Sequence, residues 1–192
     1  MMVVGSPEQS ETALLAGEVA CPHCSAPLRA HGHASTRTVR GLGQERLTVR
    51  PRRARCGGCG RTQVLLPAAL ALRRADTVEV IGTALAAKAA GNGYRTIAAG
   101  MGRPVSTVRR WFRRAPEKHV HWLHEQAVKH AFSLNPEILA DLKQWPSLLG
   151  RSLNILAGAA LAFNRLARAE LPPWTVIGYF TRGNLLSPPL RT

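Results

Sequence analysis

The sequence predicts an α+β protein, with a small β unit towards its N-terminus and a mostly α-helical region after it. Three observations predict this. All four cysteines fall in two C-x-x-C pairs, Cys21/Cys24 and Cys56/Cys59, with 31 residues between the pairs. The segment between the pairs alternates with period two. Beyond residue 75 the apolar residues recur at three-and-four spacing, punctuated by cap and turn signals.

The first element in order is a leader. Residues 1–18 are polar, rich in Gly, Ser, Pro and Glu, with little periodicity, and read as flexible. The β unit follows over residues 19–66. Within it Arg46-Leu47-Thr48-Val49-Arg50 alternates strictly, Thr36 to Arg40 is similar, and Gly41-Leu42-Gly43-Gln44 lies between them as a turn. Pro67 to Arg74 reads as a linker.

The cysteine pattern gives the β unit its chemistry. Each C-x-x-C pair wraps one turn around a metal and offers two thiolates. Cys21, Cys24, Cys56 and Cys59 together complete a tetrahedral four-sulfur site, the structural preference of Zn²⁺. Gly57, Gly58 and Gly60 allow a tight knuckle with amides aimed at sulfur. The expectation is a zinc ribbon with one structural Zn²⁺, which supplies much of the stability of so small a unit. Cys21-Pro22-His23-Cys24 also matches a disulfide-oxidoreductase sequence, but that chemistry needs a strand before the motif and a helix after it. Glu18-Val19-Ala20 is no strand and Pro27 follows closely. His23, His31 and His33 are alternative ligands that four paired cysteines leave unneeded.

Charge points to the partner. The net charge is +15, from 26 Lys+Arg against 11 Asp+Glu, in a chain that is 45% apolar. Residues 29–118 carry 19 basic and four acidic side chains, whereas residues 1–28 carry three acidic and no basic ones. A cationic middle of this kind suits a polyanion. Of the cations 22 are Arg, which grips phosphate and guanine in bidentate fashion, although GC-rich coding also favours Arg. On the ribbon, Arg46, Arg50 and Arg52 are candidates for phosphate contact.

Residues 75–115 read as a trihelical helix-turn-helix. Asp76-Thr77-Val78-Glu79 has the form of a capping box with Asp76 as N-cap. A first helix ends at Gly91-Asn92-Gly93. A second covers Tyr94 to Met101, Gly102-Arg103 makes the turn, and a third runs from about Pro104 to Arg114. In the third helix Val108, Trp111 and Phe112 share one face, and the arginines fall largely elsewhere. Ser106, Thr107, Arg109, Arg110 and Arg113 are therefore candidates for contact with double-stranded DNA in the major groove.

Ile97-Ala98-x-x-Met101-Gly102 with Ser106-Thr107-Val108-Arg109-Arg110-Trp111 resembles helix-turn-helix segments of insertion-sequence transposases and resolvase-like regulators. The cysteine knuckles, with Arg61-Thr62 and Leu66-Pro67, look like the zinc-binding N-terminal region of such transposases. The combination is similar to uncharacterised small proteins of high-GC bacteria that pair a four-cysteine zinc ribbon with a helix-turn-helix. The resemblance spans roughly residues 19–115 and implies that both units bind DNA together. Pro104 stands where these motifs often place a Ser N-cap.

No enzyme is expected. A transposase nuclease needs acidic metal ligands, and the chain has two Asp, of which Asp76 reads as a cap and Asp141 lies in a helical run, Glu137 to Leu142. His119, His121, His124 and His130 read as a polar helix face. Residues 118–192 should be helical, with Leu148, Leu149, Leu153, Leu156, Leu161, Phe163 and Leu166 as core and Trp174 to Phe180 packing back as an anchor. Gly158, Ala159 and Ala160 would permit close helix approach in a homodimer. With no secretory signal and no apolar run long enough to span a bilayer, the expected setting is cytoplasmic and nucleoid-associated, with no membrane partner. The expected function is sequence-specific DNA binding, as a regulator or mobile-element accessory factor. The alternative is a zinc-ribbon module that binds a protein or RNA.

Overall fold

Strands and helices divide the chain largely as the two periodicities require. The computed structural model describes residues 2–140 and 145–187, and within them it is α+β, with six strands and seven α-helices. The strands are β1 (Met2–Val4), β2 (Leu28–His33), β3 (Arg37–Arg40), β4 (Arg46–Val49), β5 (Arg52–Cys56) and β6 (Thr62–Pro67). One sheet has the order β1-β6-β5-β2, with β1 parallel to β6 and the other pairs antiparallel. The hairpin β3–β4 forms a second sheet, in register from Arg37 opposite Val49 to Arg40 opposite Arg46. The alternation read over Thr36 to Arg50 is this hairpin, closed at Gly41 to Glu45.

The flexible leader expected over residues 1–18 is instead a strand and a helix. β1 pairs along β6, and α1 (Pro7–Leu15) starts at a capping box in which the Ser6 and Gln9 side chains accept each other's backbone N–H at 3.2 and 3.1 Å. Leu14 packs into a core with Val19, Cys21, Leu28, Ala54, Cys56 and Leu65. So short a helix has little periodicity to display; its local signals are the Ser-x-x-Gln box and Pro7 at its first position.

The expected linker is packed as well. Ala68, Leu70 and Ala71 are buried, and Leu70 joins Leu66 and Val39 in a small core under the hairpin.

The helical region comprises α2 (Val78–Ala89), α3 (Tyr94–Gly100), α4 (Val105–Arg114), α5 (Glu117–Leu134), α6 (Leu148–Ala167) and α7 (Pro173–Phe180), with a 3-10 turn at Pro136–Leu139. Thr77, not Asp76, caps α2: its hydroxyl accepts from the Val80 N–H at 3.3 Å. Gly91 (φ +92°) follows the end of α2 and Gly102 (φ +59°) makes the turn before α4, both left-handed positions that favour glycine. The helical run expected from Glu137 to Leu142 includes Asp141, which lies outside the described residues.

A single apolar core threads α2 to α7, so residues 75–115 and 118–187 share one interior. Leu153 and Leu156 are buried as expected, whereas Leu161 and Leu166 are exposed. The small residues offered for a dimer face are used within the chain. Ala159 and Ala160 are fully buried in the same core as Ala127 and Ala131 of α5, and Gly158 faces Ile138. The C-terminal anchor forms as α7, which packs on α2 and α6. There the Trp174 indole covers Gly82 so closely that an added methyl would overlap the ring. Gly82→Ala is expected to cost about 1–3 kcal/mol by overpacking. Gly100→Ala, at a helical position open to solvent, should be neutral or stabilise by about 0.4–1 kcal/mol. Urea denaturation of the two variants checks this opposition of sign. No helix among the described residues is long and apolar enough to cross a membrane.

Candidate metal centre and cationic helix face

The β sheet brings the four cysteines to one point. β5 ends on Cys56, and β2 follows the first knuckle and lies beside it, with Leu28 opposite Cys56. The knuckle at Cys21 is closed by the Ser25 N–H donating to the Cys21 carbonyl and the Cys21 N–H to the Ala26 carbonyl. At the second, the N–H groups of Gly58 and Cys59 point at the Cys56 sulfur, at 3.3 and 3.4 Å. All four Sγ atoms lie within 4.8 Å of one another. Close approaches run between the pairs, Cys24 to Cys56 at 3.3 Å and Cys21 to Cys59 at 3.7 Å. A disulfide needs about 2.05 Å; these are free thiols arranged around a common centre.

Electrostatics explains why the cluster suits a cation. The Cys59 N–H first, against desolvation and with help from Cys24 and the Gly58 N–H, lowers the Cys56 pKa to about 6. Cys59 moves the other way, to about 11: the Arg61 backbone lowers it, but desolvation and the thiols of Cys56, Cys24 and Cys21 outweigh that. Sulfurs this close cannot all carry negative charge unaided. A metal ion at the centre removes the conflict, and by position and donor set the four cysteines are compatible with a structural metal site. The histidines stand aside. His23 Nδ1 lies 2.7 Å from Arg61 Nη1, and His31 and His33 are exposed on β2.

The histidines of α5 do not form the polar face expected. His119 is fully buried and stacks on Trp122, with ring centroids 5.4 Å apart. His130 stacks on Phe180 at 4.1 Å, and His124 Nδ1 lies 3.3 Å from the Ser152 hydroxyl. Burial lowers the pKa of all three. They are packing groups between helices; only His121 is largely exposed.

The other candidate residues lie on α4 and on the hairpin. Val108 and Trp111 are buried against α2 and α3, and Phe112 is half-buried beside Lys88. Ser106, Arg109, Arg110 and Arg113 are exposed and Thr107 is half-buried. At 3.6 residues per turn the four exposed residues share an arc of about 100° opposite the buried pair. Among the described residues no acidic group pairs with any arginine of α4. Arg74 approaches the same helix: burial, then the charges of Arg114, Arg110 and Arg73, lower its pKa. Arg46 and Arg50 are exposed on the hairpin. Arg52 is not free, since its guanidinium donates to Glu11 at 2.8 Å.

The residue that joins these parts is Asp76, which the sequence offers only as a helix cap. Its carboxylate is buried and accepts from Arg40 of β3 at 2.7 Å and from Arg103, in the α3–α4 turn, at 2.9 Å. Arg103 is itself buried, and donates also to the carbonyls of Gly41, Gly43 and Met101. The hairpin and the start of α4 are thus held against one carboxylate. An Asp beside a cap and an Arg in a turn carry no long-range signal, so this pairing is illegible in the sequence.

Residues 21–111 match a domain of unknown function, DUF6431. The match begins at the first cysteine and ends on Trp111, so it spans both the four-cysteine cluster and most of α4. No curated protein and no solved structure matches the chain.

Proposed function

We propose that this is a non-enzymatic, sequence-specific DNA-binding protein. The β unit is a zinc ribbon and α2–α4 a helix-turn-helix, with α4 as recognition helix. The observation that carries the reading is the exposed face of α4. Ser106, Arg109, Arg110 and Arg113 stand together with no acidic partner among the described residues. A cationic helix face left uncompensated, on a helix anchored by Val108 and Trp111, suits the phosphates and guanine edges of a major groove. Arg74 beside Arg110 and Arg114 adds to the same field.

Zinc is the metal that the donor set favours. At a Zn–S distance of about 2.3 Å a regular tetrahedron has its sulfurs about 3.8 Å apart, close to the 3.3 Å between Cys24 and Cys56 and the 3.7 Å between Cys21 and Cys59. The ion would serve as a structural clip, since all four positions are filled by protein. The sequence resemblance supports a transposase-related origin, with a role as regulator or mobile-element accessory factor.

Selection of bound sequences from a random duplex pool tests the reading. A reproducible preferred sequence is expected. Arg109→Ala or Arg110→Ala should then weaken binding to it by about 1–3 kcal/mol where the side chain reads a base. Unchanged affinity in both variants would remove α4 from the interface, and binding to single-stranded RNA or a protein alone would replace the reading.

A further inference from the structure

We infer that the β3–β4 hairpin is a second DNA-contacting element, which grips the sugar-phosphate backbone beside the segment that α4 reads; this rests on the duplex-binding reading above. The hairpin turn, Gly41 to Glu45, is closed by the Gly41 N–H donating to the Glu45 carbonyl at 3.0 Å. Arg103 donates to the carbonyls of Gly41 and Gly43 inside that turn, and the next residue, Pro104, is the N-cap of α4. The hairpin tip is therefore fixed at the N-terminal end of α4, the end that a recognition helix directs at base edges.

The lock is rigid for a physical reason. Arg103 places its guanidinium donors on Asp76 and three carbonyls, and Asp76 also holds Arg40 at the base of the turn. The Thr77 N–H donates to the Arg40 carbonyl and the Arg40 N–H to that of Ala75, so the end of β3 is tied to the segment entering α2. The turn and the end of β3 are thus held by several bonds at once rather than by one.

Pleating then decides which side chains face outward. Val39 packs against Leu66 and Leu70, with Val49 beside them, which commits one face of the hairpin to the interior. The opposite parity puts Arg46 and Thr48 in solvent on β4, and Arg50, the residue that follows the strand, is exposed as well. Neither Arg46 nor Arg50 has an acidic partner among the described residues. The one carboxylate of the turn, Glu45, folds back over Gly41. Two cations and a hydroxyl, on the strand that leaves the turn held at the start of α4, match phosphates by charge and offer no pattern for reading bases. The hairpin contributes affinity and register, and α4 the sequence preference. Arg103 is the positioning residue between them.

Hydroxyl-radical footprinting of the full chain on its selected duplex tests this, alongside salt titration. Wild-type protein should protect the preferred sequence and backbone positions to one side of it. Arg46→Ala with Arg50→Ala, both surface changes, should lose that flank, keep the same preferred sequence, and lower the slope of log K against log salt by about 2. Arg103→Lys should blur the flank while the protection by α4 persists, an outcome that general destabilisation does not give. An unchanged flank and slope in the double variant would overturn the hairpin assignment and leave duplex binding standing. Absence of any wild-type protection would overturn both.

Discussion

Asp76→Ala is expected to destabilise the protein by about 3–5 kcal/mol, the largest effect of any single side chain outside the metal site. The carboxylate is almost wholly buried, with 3% of its side chain exposed, and two guanidinium groups depend on it. Removing it strands the Arg103 charge, itself 5% exposed, in a low-dielectric setting. The loss reflects that uncompensated charge more than the worth of the pairs themselves. Arg52→Ala serves as the contrast. Its partner Glu11 is 43% exposed, so water screens the pair and the expected cost is about 0–1 kcal/mol. Guanidinium or urea midpoints of the two variants measure the difference. Equal costs would mean that Asp76 does not hold the hairpin to the α3–α4 turn.

Cys56→Ser is expected to empty the metal site and unfold the β unit. Cys56 is the best placed of the four to be a thiolate, since the knuckle amides of Gly58 and Cys59 converge on its sulfur. It also sits in the interior with Leu28, Ala54 and Leu65, so the loss reaches the sheet. Structural zinc contributes on the order of 10 kcal/mol in small ribbons and fingers at neutral pH, more than the packing of so small a core supplies. Metal analysis should find one zinc per wild-type chain and none in the variant, with near-complete loss of β signal by circular dichroism. A strong chelator should do the same to the wild type. Full zinc content in the variant would mean that Cys56 is not a ligand.

The cysteine spacing, the turn glycines and the Val108/Trp111 face of α4 are legible in the sequence because each is a local pattern with one dominant physical reading. The hairpin is legible from Arg46 to Arg50 for the same reason. β2 and β6 are not, because their roles follow from pairing across the sheet. α1 escapes because a short helix leans on its sheet rather than on its own periodicity. At Asp76 the capping signal is displaced by one residue: the cap is Thr77, and the carboxylate beside it is free to hold Arg40 and Arg103. The histidines of α5 look like a wet face in sequence because their partners, Trp122, Ser152 and Phe180, arrive mostly from other helices. The small residues of α6 look like an intermolecular surface because nothing local says that α5 lies beside them.

The proposed role depends on the cationic middle of the chain being a shaped surface for a nucleic-acid duplex. Titration of the zinc-loaded protein with duplex DNA across a series of salt concentrations tests it most directly. Tight binding is expected at low ionic strength, with log K falling linearly against log salt, and a residual preference for the selected sequence at higher salt. No measurable binding to any duplex at low ionic strength would contradict it.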